Sequence, residues 1–549
     1  MNLLKYKYWF LLVIVILAAL LRMVGLGSNP PELTWDETAW GYNAYSLGIN
    51  GKDEFGRFLP VDYLESFGDY KPPVYAYLDI LPVKIFGLNK SSTRMPSALA
   101  GIGAVFFTYF LVLRLFPNSK KKYLYALFSS FVLAISPWSI MLSRAAFEAN
   151  VATFFIISGM WALLAGLEEK KWMLLLSAVL LVIPFYTFNS PRVFLPIFII
   201  LLIVLLWRKY FDRKKQMILA IILGIVLLVP LVPFLFSPQA RLRFEQVNIF
   251  TDPTIVQTSN QEIANDHNAW WSKIIHNRRV LYTQSFLQHY LDEFNPSYLF
   301  FKGDYNPKFS IQTTGELFIW CIPFFILGLI LLFRQRKDYW WIIFLWILTG
   351  LIPASTARET PHALRTEVIL PTYQIIIAYG LVEFILFVKD KKLAKYINGK
   401  ILIVFVGLVM IFEMTKFIHS YITHYPYEYS QEWQYGYKQS IGYVESVQNN
   451  YNQIDVTNSL GRPYIYYLFY MKTPPVVYRS EAIIHRDAFG FVTIEGFGKY
   501  RFGENLQSMP NANKKVLFMD VPNKVPQNAK IQKKFYNLDG TVALVAYTT

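Results

Sequence analysis

The sequence of 549 residues is poor in charge, with only 16% Asp, Glu, Lys and Arg. It has one cysteine, Cys321, which excludes an intramolecular disulfide and leaves the redox compartment unreported. No Cys/His spacing of a zinc site occurs. No internal repeat or low-complexity segment is present, and so the repeat symmetry that transporters often carry is missing. No small-residue cleavage site follows the first apolar run, so that run is read as a retained span rather than a signal peptide.

What is present is apolar. Hydrophobic residues make up 54% of the chain, against the string of soluble domains that its length alone would suggest. Apolar runs fall at about 8–26, 94–115, 123–142, 149–167, 171–187, 192–207, 216–236, 316–333, 339–357, 365–388 and 400–419. Each is near the roughly 20 residues that cross a hydrocarbon core. The fold class expected is therefore a mainly α, polytopic membrane protein of about eleven transmembrane helices.

A net charge of +16 is compatible with a nucleic-acid partner, but much of it sits in short clusters between the apolar runs: "RLFPNSKKKY", "WRKYFDRKKQ", "FRQRKD" and "VKDKKLAKYINGK". With Lys5 and Lys7 inside, the loops at 114–123, 168–171, 208–215, 334–338 and 389–400 all fall inside as well. That is the positive-inside pattern of a multi-pass protein in the cell (plasma) membrane, with a cytoplasmic N-terminus and an extracytoplasmic C-terminus. The expected partner is a bilayer, and no nucleic acid.

The division expected is a membrane domain over 1–419, with long outer loops at 27–93 and 237–315, and a small extracytoplasmic α/β domain over 420–549. In the latter "EWQYGYKQSIGYVESVQNN" reads as a helix, "QIDVTNS" and "KKVLFMDVP" as strands, and "KFYNLDGTVALVAYTT" as a hairpin turning at Asp-Gly.

The first outer loop opens with "PELTWDETAWGYNAYSLG". Thr34-x-x-Glu37 fits a capping box, and Asp36 favours a helix N-terminus. Capping explains one carboxylate readily and two less so. Adjacent helical residues point about 100° apart, so Asp36 and Glu37 cannot both reach one substrate atom. In "FGDYKPPVYAYL", Lys71 precedes two prolines that favour extended backbone before them. It suits an anionic headgroup, although a snorkelling interfacial lysine is common. Arg94, Arg144, Arg192, His362 and Arg365 stand at other outer span ends, and Glu148 shares a loop with Arg144. Each alone is more readily an anchor. Together, cations that hold a phosphate and a carboxylate that takes a proton suit transfer from a phosphate-bearing lipid.

These motifs carry a resemblance. "WDETAWGYNAYSL", "YKPPVYAYL", "STRMPSALAGIGAVFFTYFLVLRLF", "SPWSIMLSRAAFEANVATFF", "NPSYLFFKGDYNPKFSIQTTGELF" and "ETPHALRTEVILP" resemble segments of the phospholipid-carrier-dependent glycosyltransferases. These are the protein O-mannosyltransferase and aminoarabinose-transferase relatives of the C-type glycosyltransferase fold. The resemblance implies a polyprenyl-phosphate-linked sugar donor, inversion at the anomeric carbon, and an acceptor that is a glycan, lipid or protein. It implies that Asp36 is the general base and Glu37 the second acid of the catalytic motif. Lys71 would contact the donor phosphate, with Arg144, Arg192 and Arg365 as weaker phosphate-binding candidates. Glu148, Arg94 and His362 are further candidates for the substrate site. No cofactor is required; a divalent ion shared by Asp36 and the donor phosphate is compatible with the residues. The alternatives are a polytopic lipid or sugar transporter or flippase and, ranked last, a surface receptor.

Overall fold

The computed structural model describes residues 6–241, 248–389, 399–486, 492–509 and 515–549. Lys5 and residues 390–398 of the expected inward loop lie outside the described residues.

Helices dominate, as an apolar chain requires: in hydrocarbon only a helix or a closed barrel satisfies every backbone polar group. The first elements are α1 (Lys7–Met23), α2 (Trp35–Asn50), the strands β1 (Leu64–Ser66) and β2 (Asp69–Lys71), α3 (Val74–Phe86) and α4 (Lys90–Leu115). A helix is found at each apolar run named above. By length and composition, four helices among the described residues can cross a membrane: Lys90–Leu115, Glu148–Glu168, Lys214–Leu235 and Gly399–Glu428. The count rises to six if two bent pairs, Lys122–Ile135 with Pro137–Ser143 and Ala363–Ile369 with Thr372–Val388, are one span each. Met173–Tyr186, Ser190–Leu205, Cys321–Gln335 and Trp340–Ser355 are shorter apolar helices.

The chain forms two compact units. The first holds residues 1–18, 101–141 and 149–415 and is helical. Its helices Cys321–Gln335 and Thr372–Val388 approach backbone to backbone, because a Cβ on Gly328 would meet the Ile376 carbonyl oxygen and one on Gly380 that of Phe324. Small residues at such a crossing are the usual device of membrane helices.

The second unit holds residues 19–100, 142–148 and 416–549. Its sheet has seven strands in the order β4-β5-β6-β3-β7-β9-β8. They are β3 (Gln453–Thr457), β4 (Ile483–Arg486), β5 (Val492–Phe497), β6 (Tyr500–Gly503), β7 (Val516–Asp520), β8 (Lys530–Tyr536) and β9 (Val542–Thr548). β3 runs parallel to β6 and β7, while the remaining pairs are antiparallel. β3 and β7 are buried along their whole length, as central strands covered on both faces are. The helix expected near 432–450 is Gly436–Val447, and β8 and β9 are the expected hairpin, with Gly540 at φ 86° in its turn.

One core joins the segment between α1 and α4 to this sheet. Leu33, Ala39, Tyr42 and Leu88 pack in a single cluster with Ile441, Ile465, Leu468, Leu517 and Met519. Burying a large apolar side chain contributes roughly 1.5–3 kcal/mol, so this shared core fixes α2 firmly. The approach is close enough that a Cβ on Gly461 (φ 118°) would collide with the Trp35 ring.

Candidate functional site

α2 begins as the sequence predicts. Thr34 is its N-cap, with its Oγ1 accepting from Glu37 N at 3.3 Å while Glu37 Oε2 accepts from Thr34 N at 2.9 Å. The capping box is therefore closed, and the 100° step between neighbours sends the two acids to different surroundings. Glu37 is fully buried, whereas the Asp36 side chain is 48% exposed.

Glu37 faces Arg94, which is also fully buried. Arg94 donates to Glu37 Oε1 at 2.8 Å and Oε2 at 3.2 Å, and to the carbonyls of Leu26 (3.1 Å), Pro30 (2.8 Å) and Glu32 (2.5 Å). A guanidinium has five N–H donors, and all are used. Trp433 stacks on its face at 5.6 Å. Glu37 Oε1 also accepts from Ala146 N at 2.9 Å. Arg144 has a similar position. Its Nη1 and Nη2 donate to the carbonyls of Leu21, Val24, Gly25 and Asn29 at 2.8–3.1 Å, with the Tyr421 ring at 5.5 Å. The two arginines thus hold the chain between α1 and α2.

Asp36 faces Lys71, and the two form an ion pair. Lys71 ends β2, where it pairs in register with Leu64, and the following prolines hold it extended as the sequence predicts. Its side chain is only 7% exposed. The ammonium lies 4.5 Å from the Phe67 ring centre and 5.1 Å from that of Trp40, within cation–π range. The β1–β2 turn consists of Phe67 (φ 45°) and Gly68 (φ 77°), the positive-φ pair of a tight hairpin. Phenylalanine there is unusual. It is held by the Tyr464 hydroxyl, which accepts from Phe67 N at 3.2 Å.

Glu148 opens its helix, and its carboxyl interacts electrostatically with Lys71, Asp36 and Asp69. The second unit thus brings together Asp36, Glu37, Lys71, Arg94, Arg144 and Glu148.

Arg192, His362 and Arg365 belong to the first unit. Arg192 donates to Phe185 O and Asn189 Oδ1, both at 2.9 Å. His362 is buried beside Phe309, and burial pushes its imidazole well below the usual range, with the charge of Arg365 adding to the effect. Arg365 donates to Glu359 O at 3.3 Å. Two acids absent from the sequence reading hold this stretch of backbone: Glu293 accepts from His362 N at 3.2 Å, and Asp304 from Ala363 N at 2.6 Å.

Sequence reasoning also missed the helix Pro463–Tyr470, "PYIYYLFY". Tyr464 donates to Glu54 Oε1 at 2.6 Å, Tyr466 to Leu33 O at 3.0 Å, and Tyr470 to Glu32. The density of tyrosine in eight residues was its only signal. Burial raises the Glu54 carboxyl to about 8. Among the described residues, no group of three or more His, Cys, Asp or Glu side chains is placed to hold a metal ion.

With this geometry in view, the known proteins can be compared. ArnT from Cupriavidus metallidurans, solved with bound undecaprenyl phosphate, aligns with a TM-score of 0.54 over 97% of each chain at 11% identity. The chain has the fold of ArnT. In sequence, a model of the dolichyl-phosphate-mannose-protein mannosyltransferases matches residues 70–234. That stretch contains Lys71, Arg94, Arg144, Glu148 and Arg192, and begins after Asp36 and Glu37. Two proteins of Bacillus subtilis (strain 168), both provisionally named mannosyltransferases, are also similar. YkcB is 30% identical over 112 residues, and YycA 28% over 158. These stretches cover 20% and 29% of this chain, and only 15% and 22% of the relatives' own lengths. The resemblance drawn from the motifs holds in fold and in sequence.

Proposed function

We propose that the protein transfers a sugar from a polyprenyl-phosphate donor to an acceptor at the outer face of a membrane crossed about eleven times, with inversion at the anomeric carbon. The observation that carries the reading is the Asp36–Lys71 pair: a half-exposed carboxylate beside a buried, aromatic-flanked ammonium. The family model and the ArnT neighbour with its bound undecaprenyl phosphate support the donor class.

The chemistry is a single displacement. Asp36 takes the proton of the acceptor hydroxyl as that oxygen attacks the anomeric carbon. The bond from that carbon to the phosphate oxygen breaks, and the lipid phosphate leaves with its electron pair. A phosphate leaving group needs cations rather than a protonated acid, unlike the paired carboxylates of glycosidases. Lys71 supplies the cation. An arriving phosphate competes with Asp36 for the same ammonium, and a carboxylate released from that contact is better placed to accept a proton. Arg94 and Arg144 already donate to backbone carbonyls around the site, Arg94 to Glu37 as well, so their part is to position the loop and Glu37. Glu37 in turn holds the start of α2. Glu148 is a further carboxylate within electrostatic reach of the pair.

Asp36→Asn tests the base. It keeps the size and helix-end polarity of the side chain, so the variant should fold and insert. Transfer of labelled sugar from a panel of polyprenyl-phosphate donors should fall by at least 100-fold, the low end of what a general base contributes. Near-normal turnover would overturn the assignment.

A further inference from the structure

A second cationic feature lies elsewhere in the same unit. Lys90, Lys438 and Lys472 line a cavity of about 310 Å³, together with Gly27, Phe469 and Tyr470. That volume falls within the roughly 300–1,000 Å³ of small-molecule sites. Four chain segments build it: the stretch at Gly27 between α1 and α2, the start of α4 with the two residues before it, the helix Gly436–Val447, and the end of the helix Pro463–Tyr470 with Lys472 just past it.

The Asp36–Lys71 pair is on another face of α2. Asp36 and Trp40, one turn apart, face Lys71. Glu37 and Gly41, also one turn apart, face Arg94, Leu88 and Phe469, and the last two reach the cavity. The lysines therefore serve a place of their own.

Their charge is not balanced locally. Glu32 is the acid beside them: it accepts from Tyr470 and Leu33 N, and pairs with Lys90 at 3.6 Å. Lys90 also donates to Pro31 O at 2.8 Å. Among the described residues, no oxygen accepts from the ammonium of Lys438 or Lys472. Lys472 takes φ 49° just past its helix, a position that glycine or asparagine usually fills. A lysine held there at some conformational cost, and lining the cavity, points to a use for the charge. Lys90 is the first residue of α4, a candidate span, which puts the cavity where a headgroup layer would begin.

We propose that this cavity binds a phosphate-bearing anion, the phosphate being either an anionic lipid headgroup or a soluble phosphate ester. Lysine ammoniums suit such a ligand as point charges with several donors. Tyr470, Asn89 and Ser91 are among the other residues of the lining.

The test is binding to the full chain in neutral detergent, which does not depend on any transfer activity. Phosphatidylglycerol in mixed micelles is counted by native mass spectrometry, and inorganic phosphate is titrated by calorimetry. At least one probe should bind saturably, at one per chain. Lys438→Glu with Lys472→Glu, both exposed, should weaken it at least tenfold. The milder pair Lys438→Gln with Lys472→Gln should weaken it at least threefold. The control pair Lys530→Glu with Lys534→Glu, on the exposed edge strand β8, makes the same change in net charge and should alter binding less than twofold. Binding of lipid alone identifies a headgroup, and binding of phosphate with the same losses identifies a soluble ester. No saturable binding of either probe, or equal losses in the cavity and control pairs, would overturn the proposal.

Discussion

Glu37→Ala separates the two roles open to a carboxylate at that position. The side chain accepts two hydrogen bonds from Arg94, one from Ala146 N and one from Thr34 N, all in a fully buried place. Deleting one partner of a buried ion pair costs about 3–5 kcal/mol, because the other charge is left without compensation. Each buried backbone N–H that loses its acceptor adds about 1–3 kcal/mol. Relaxation makes these losses less than additive, so a net loss of roughly 4–6 kcal/mol is expected. That is a large part of the roughly 5–15 kcal/mol that separates most folded domains from their unfolded chains. Denaturant unfolding in neutral detergent, followed by tryptophan fluorescence, measures it. Glu37→Gln should lose less, since glutamine also closes a capping box. An alanine variant that loses under ~1 kcal/mol and still fails to transfer sugar would refute a positioning role and put Glu37 in contact with the substrate.

Further outcomes follow from the same geometry. Lys71→Ala removes charge-assisted hydrogen bonds worth about 1.5–3 kcal/mol to an anion, so donor dependence should weaken by roughly 10–150-fold. Initial rates against donor concentration measure this, and an unchanged dependence would count against a phosphate contact. Glu54 carries a proton in the folded chain up to about pH 8, against an ordinary value of 4.5. Below 4.5 the folded and unfolded chains bind that proton alike; between 4.5 and 8 the folded chain binds more, so stability falls as pH rises through this window. Glu54→Gln should flatten that part of the stability profile, and an unaltered slope would show that the carboxyl is not the titrating group.

Much of the helical part was legible because its signal is local. An apolar run near span length reports itself, and so does Thr34-x-x-Glu37, whose hydrogen bonds connect residues three apart. The extended Lys71 was equally local, since proline acts on the residue before it. The β1–β2 hairpin was not legible: its turn puts phenylalanine at a positive φ where asparagine or aspartate would have signalled it. The contacts of Tyr464, Tyr466 and Tyr470 with Glu54, Leu33 and Glu32 connect residues more than 400 positions apart, a separation that no periodicity encodes. For the same reason Arg144 read as a phosphate-binding candidate and Arg94 as a further candidate for the substrate site. The sequence puts Arg94 and Arg144 at the ends of apolar runs, but only the fold shows backbone carbonyls already taking their donors.

The adjacency of Asp36 and Glu37 then has a mechanical sense. In the role proposed for Asp36, a base must be held within a fraction of an ångström of its productive position, and the residues that hold it must themselves be locked. A half-exposed aspartate on a free helix end would not meet that need. One residue further along, Glu37 ties the first turn of α2 to Arg94, and Arg94 ties it to the carbonyls of Leu26, Pro30 and Glu32. Because the helix turns about 100° between the two residues, the neighbour that is buried for rigidity leaves the other at the surface. Inserting one residue between them would rotate Asp36 away from Lys71 relative to Glu37, and would also open the capping box that Thr34 forms with Glu37. Adjacency is thus the spacing that lets a buried ion pair orient an exposed carboxylate.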